Sequence, residues 1–152
     1  PAELYTVAMT ENEVPRGLAL VVGLTGFVDS GGAVAQVSEY LLDELDHRDV
    51  VVFDNDELLD YRARRPIMVF EETRITEYRR PQLVLRLAED ELGAPFLLLT
   101  GYEPDFRWER FVDALLALIE RYGVASTTWV HAIPMPVPHT RPIGVTVSGT
   151  RE

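Results

Sequence analysis

Residues 17–32, GLALVVGLTGFVDSGG, decide how the chain folds. Gly17–Leu24 is a short, unbroken apolar run, the mark of a central strand covered on both faces. Thr25–Gly32 then forms a loop with three glycines. Asp29 or Ser30 can cap the helix that follows. In that helix Val34, Val37, Leu41 and Leu45 fall on one face at helical spacing, and the pattern ends near Asp46–His47. Strand, glycine loop and helix in this order open an α/β domain.

The pattern continues on the C-terminal side. Asp49–Phe53 (DVVVF) reads as a second buried strand, followed by the acidic cluster Asp54, Asn55, Asp56 and Glu57. Pro66–Glu71 and Arg74–Tyr78 face each other across Glu72–Thr73, which predicts a β-hairpin over about 66–79. Leu83–Leu87 and Phe96–Thr100 are further strands. Trp108, Phe111, Val112, Leu115, Leu118, Ile119 and Tyr122 mark the longest helix, with Asp105 as its cap and Gly123 as its stop. Ser126–Ala132 is the next strand. A proline-rich loop, Pro134–Pro142, leads to a last one at Ile143–Val147. Strands alternating with helices predict right-handed crossovers and a twisted, mainly parallel sheet.

The 152 residues fit one domain spanning 1–152, with enough chain for a real core. The net charge is -11, from 25 acidic against 14 basic residues. Such a surface repels phosphate backbones and anionic membranes, so neither nucleic acid nor membrane is expected as a partner. With no cysteine there is no disulfide, thiolate nucleophile or zinc-thiolate site. No apolar run approaches the roughly 20 residues that cross a bilayer. Pro1–Arg16 is not a signal peptide, so a cytoplasmic location is expected. The chain opens at Pro1 rather than Met and stops just after a strand-like run, so a trimmed start and a missing C-terminal part are expected.

In open parallel sheets ligands bind beyond the carboxyl ends of the strands. Three loops leave such ends: Thr25–Gly32, Gly101–Trp108 and Pro134–Pro142. In the first, Asp29, Ser30, Gly31 and Gly32 could offer backbone N–H groups to an anion, or simply make a tight turn. In the second, Glu103 and Asp105 could accept a substrate hydroxyl or orient a base, or else serve as cap and dipole partner. In the third, His139, Thr140 and Arg141 stand between Pro138 and Pro142 on a stiff support. They could form an anion or nucleoside site, or bond backbone carbonyls. The three histidines form no HExxH pattern and the four serines no GxSxG elbow, so a zinc enzyme and a serine hydrolase are not expected. The acidic cluster lacks the spacing of a calcium loop, and no metal or cofactor is expected. The hairpin breaks the β–α rhythm and carries Ile67, Met68, Val69, Phe70, Ile75 and Tyr78. Those residues are the candidate subunit interface.

The series TGFVDSGGAV (25–34), DYRARRP (60–66), GYEPDFRWERF (101–111) and VPHTRP (137–142) resembles the PAC2 family. This family is also called proteasome assembly chaperone 2, or DUF75-like, and the match is to its actinobacterial branch. It implies a three-layer α/β sandwich similar to the core of purine nucleoside phosphorylases, with the hairpin as an insertion. It also implies a homo-oligomer, a trimer foremost, to which the hairpin contributes. A C-terminal helical lid belongs to that branch, and this chain ends before it. Eukaryotic relatives assist proteasome assembly. The expected role is a non-catalytic binding or assembly protein. The alternative is an enzyme or binder of nucleoside-like or phosphate-containing molecules in a cleft at the strand ends.

Overall fold

The computed structural model describes residues 4–150, so the extreme ends of the expected 1–152 domain lie outside the described residues. Eight strands form in chain order: β1 (Tyr5–Val7), β2 (Ala19–Thr25), β3 (His47–Phe53), β4 (Ile67–Glu71), β5 (Arg74–Arg79), β6 (Val84–Glu89), β7 (Pro95–Tyr102) and β8 (Ser126–Trp129). The helices are α1 (Ala33–Glu44), the short α2 (Asn55–Leu58) and α3 (Trp108–Tyr122). Six strands build one sheet in the order β1-β3-β6-β7-β2-β8, and among the described residues β4 pairs only with β5.

The sheet is mixed, which corrects the mainly parallel expectation. β2 is parallel to β7 and β8, while β1 with β3, β3 with β6, and β6 with β7 are antiparallel. The reason lies in the connections. β6 turns into β7 at Asp90–Ala94, where Asp90 N donates to Ala94 O at 3.0 Å and Gly93 takes φ 79°. A parallel neighbour needs a crossover of a dozen or more residues, and this turn is far shorter.

Helices lie on both faces of the sheet. Leu20, Val22, Leu24, Leu85, Leu97 and Leu99 join Phe111, Ala114, Leu115, Leu118 and Tyr122 of α3 in the main core. On the opposite face Gly23 leaves room for α1: a Cβ there would stand 3.0 Å from Ser38 Oγ and 3.5 Å from Val34 Cγ1. That face also buries a charge. Arg86 Nη1 donates to Thr100 Oγ1 at 2.8 Å, and its Nε donates to Asp49 Oδ1 at 3.1 Å. Burial pulls the Arg86 guanidinium below its usual range, and Asp49 opposes the shift.

Several local expectations change. α3 spans Trp108–Tyr122, but Trp108 and Val112 are exposed, as is Val37 of α1. Asp105 does not cap α3. The cap position belongs to Arg107, in the left-handed conformation at φ 58°. Gly123 does stop the helix, at φ 61°. Its O accepts from Gly17 N at 2.8 Å, and Arg16 Nη1 donates to Arg121 O at 3.1 Å. Ile143–Val147 is not a strand. It pairs with none of the described strands, and its alternating apolar side chains are exposed.

The β4–β5 hairpin forms where the sequence puts it. Its register pairs Ile67 with Arg79, Met68 with Tyr78, Val69 with Glu77, Phe70 with Ile75 and Glu71 with Arg74. A bulge between Val69 and Phe70 absorbs one extra residue on β5, so Ile75 falls on the same side as Tyr78. One side of the ribbon is therefore apolar (Met68, Phe70, Ile75 and Tyr78), and the other is mixed and charged.

Candidate functional site

The carboxyl ends of β2 and β7 and the chain just past β8 meet at one edge of the sheet. Asp29 sits in an isolated bridge with Ala132, and Ser30 N donates to Ala132 O at 3.0 Å. Phe27 N donates to Glu103 Oε2 at 3.1 Å, and Glu103 N donates to Thr25 O at 2.8 Å. Gly26 makes this approach possible, because a Cβ there would collide with the Glu103 carboxylate. So the fold brings together the first two candidate loops and Ala132, two residues before the third.

The acids in these loops are occupied by structure. Asp29 caps α1 with both oxygens, accepting from Val34 N at 2.8 Å and Ala35 N at 3.0 Å. Ser30, Gly31 and Gly32 form a 3-10 turn before α1, with Gly31 and Gly32 left-handed at φ 66° and 65°. Asp105 turns the other way from Glu103. Its Oδ2 accepts from Asp60 N at 2.8 Å, and its Oδ1 lies 2.9 Å from Arg64 Nη2. Pro104, between the two acids, is buried. This tripeptide therefore ties the glycine loop on one side to the segment before the hairpin on the other.

Arg64, Tyr102, Asn55 and the Arg107–Glu57 pair extend the cluster. The Arg64 guanidinium lies 5.8 Å from the centre of the Tyr102 ring. Tyr102 OH donates to Asn55 Oδ1, and Asn55 Nδ2 donates to Pro81 O at 2.7 Å. Burial, and then the charges of Tyr61, Asp105 and Asp54, push the Tyr102 phenol well above its ordinary range. Arg107 Nη1 lies 2.7 Å from Glu57 Oε2 as an ion pair without hydrogen-bond geometry. The DYRARRP and GYEPDFRW motifs are thus one structural unit. Their alternation of arginines and acids was the available signal. Next to it, a polar cleft of about 290 Å³ opens among Thr6, Asp54, Asn55, Tyr61, Arg80 and Gln82.

His139, Thr140 and Arg141 lie on an exposed turn, where Arg141 N donates to Pro138 O at 3.0 Å. No hydrogen bond or ion pair joins their side chains to Asp29 or Glu103. Among the described residues no group of three or more His, Asp or Glu could hold a metal, and no helix is long and apolar enough to cross a membrane.

Exposed apolar side chains are the more prominent feature. Phe27 is 93% exposed, and Phe106, Trp108 and Trp129 stand exposed near the same edge, with Trp129 stacked on His131 at 5.2 Å. Among the six hairpin candidates, Ile67, Met68, Phe70, Ile75 and Tyr78 are each more than half exposed, and Val69 is half-buried. Apolar patches of this kind mark interaction surfaces.

The family model described as the PAC2 family matches residues 23–152. A Corynebacterium glutamicum protein of unknown function is 42% identical, with a TM-score of 0.85 over 92% of this chain and 54% of that one. A Mycobacterium tuberculosis protein of unknown function is also 42% identical, with a TM-score of 0.86 over 93% of this chain and 51% of that one. A Mycobacterium tuberculosis proteasome-assembly chaperone homologue is 26% identical, with a TM-score of 0.72 over 82% of this chain and 53% of that one. The chain thus spans about half the length of the solved proteins it matches. No curated protein matches it.

Proposed function

The chain belongs to the PAC2 family, and from that premise we propose that it is a non-catalytic assembly protein, working in the cytoplasm as a homo-oligomer built through the β4–β5 hairpin. The observation that carries this reading is the exposed apolar side of that hairpin, Met68, Phe70, Ile75 and Tyr78. An isolated two-stranded ribbon is marginal in water, so a face of this kind calls for cover. The likeness to a proteasome-assembly chaperone homologue points the same way. A trimer is the oligomer we favour, with the hairpin as an insertion in a phosphorylase-like core and a C-terminal helical lid supplied by a longer chain. Deletion of Ile67–Tyr78 followed by sedimentation analysis tests the central claim. The expected result is a smaller species, and an unchanged oligomer refutes it.

The convergence of the loops at Asp29, Glu103 and Ala132 favours a second reading. In it, a nucleoside-like or phosphate-containing ligand binds at the strand ends, with Ser30, Gly31, Gly32, His139, Thr140 and Arg141 as contacts. A thermal-shift series with nucleosides, nucleotides and phosphate on a chain carrying the lid decides it. Ligand at 100 times its dissociation constant adds about 2.7 kcal/mol of stability. No shift with any of them removes this reading.

A further inference from the structure

We propose that the apolar side of the β4–β5 hairpin docks head to tail on the outer face of α1 in a second copy of this chain. The inference rests on the hairpin's assembly role and adds its receptor. Three observations lead to α1.

The first is charge. Residues 62–80 hold six of the 14 arginines against three glutamates, a net +3, which leaves -14 on the rest of the chain. Arg64 is held by Asp105 and Arg79 by Glu77, whereas Arg62, Arg65, Arg74 and Arg80 have exposed side chains. A twofold contact of hairpin on hairpin would set like charges together, which is destabilising at an interface. The hairpin therefore fits an acidic surface, and the rest of the same chain provides one.

The second is the composition of α1. Residues 33–46 contain Glu39, Asp43, Glu44 and Asp46 and no basic residue. α3 carries exposed Arg110, and half-buried Arg121, among its acids, so it is the poorer match.

The third is the shape of the exposed stripe. Val37 and Tyr40 are each more than half exposed, half-buried Leu41 lies beside them, and exposed Glu44 continues the row at i, i+3 and i+7. An apolar row flanked by acids complements a ribbon with one apolar side flanked by arginines. Because the two patches differ, the contact is heterologous, and it closes as a ring or runs on as a filament. A trimer is the ring with three such contacts.

The experiment is sedimentation velocity on the wild-type chain, on Met68→Ser with Phe70→Ser, and on Val37→Ser with Tyr40→Ser, with folding followed by circular dichroism. Every replaced residue is exposed, so all three chains should fold. Each variant is expected to raise the dissociation constant at least about tenfold. An equimolar mixture of the two variants should give a heterodimer and nothing larger, since one good hairpin meets one good α1. A second α1 variant, Asp43→Arg with Glu44→Arg, should weaken association without removing an apolar group. Dissociation of the hairpin variant with full assembly of both α1 variants overturns the α1 contact and leaves the hairpin reading standing. A mixture that stays monomeric overturns the head-to-tail arrangement. A hairpin variant that stays assembled, or a wild-type chain that is monomeric throughout, overturns both.

Discussion

Two antiparallel strand pairs in this chain obey the same pairing rules and end in opposite surroundings. β6 and β7 bury both faces: Leu85, Leu87, Leu97 and Leu99 toward α3, and Val84, Arg86, Leu98 and Thr100 toward α1. β4 and β5 bury neither, with only Val69 and Glu77 half-covered. Pairing alone decides that a ribbon forms. Neighbours decide whether it is buried. The first ribbon lies between β3 and β2, whereas the second joins no other strand among the described residues, so its cover has to come from outside the sheet.

That contrast can be broken most severely at Gly101 in β7. It takes φ 141°, and a Cβ there would strike Gln82 O and the Leu83 backbone. Gly101→Ala should cost more than about 4 kcal/mol, measured by urea unfolding, because backbone rather than a side chain must give way. Leu99→Ala removes a fully buried side chain from the same ribbon. It should cost about 2–5 kcal/mol in the same measurement.

Tyr102, at the end of β7, gives a pH signature. Its folded pKa is raised by burial, so its contribution is fully present below the unfolded phenol value of about 10 and is lost as pH rises above it. Urea midpoints should fall above about pH 10, and Tyr102→Phe should lessen that fall. Tyr122, also raised by burial, accounts for part of what remains. An alkaline slope identical in wild type and variant contradicts the assignment.

The smallest effect on folding belongs to the other ribbon. Phe70→Ser should change the stability of the dilute monomer by less than about 0.5 kcal/mol, because Phe70 is 65% exposed. A loss of several kcal/mol would show that the ribbon is buried after all.

The sequence alone revealed the elements that depend on a local pattern. β2 is an unbroken apolar run, α3 shows helical spacing to Gly123, and the β4–β5 turn lies between two apolar stretches. The parity of the sheet was less legible. Asp90–Ala94 is a turn held by one carboxylate, as Leu92 N and Ala94 N both donate to Asp90 Oδ1. Strand pattern alone does not separate such a turn from a connection between parallel strands. Ile143–Val147 has the alternation of a strand, but alternation cannot supply a neighbour. The roles of Glu103 and Asp105 were hidden because their partners, Phe27 and Asp60, are 76 and 45 residues away. His139 and Arg141 looked special for their proline setting, which fixes backbone shape but not proximity to other loops.

Glu103–Pro104–Asp105 has a mechanical consequence. Two carboxylates anchored on one buried proline act as a yoke: one arm holds the loop that caps α1, the other holds the root of the hairpin. If the hairpin and α1 are the two ends of a subunit contact, force applied at one is felt at the other within the same copy. Amide exchange offers a direct reading. Asp105→Asn should loosen Asp60 N–H and also speed exchange at Phe27, Val34 and Ala35, amides that Asp105 never touches. Exchange that quickens at Asp60 alone would mean the two arms move independently.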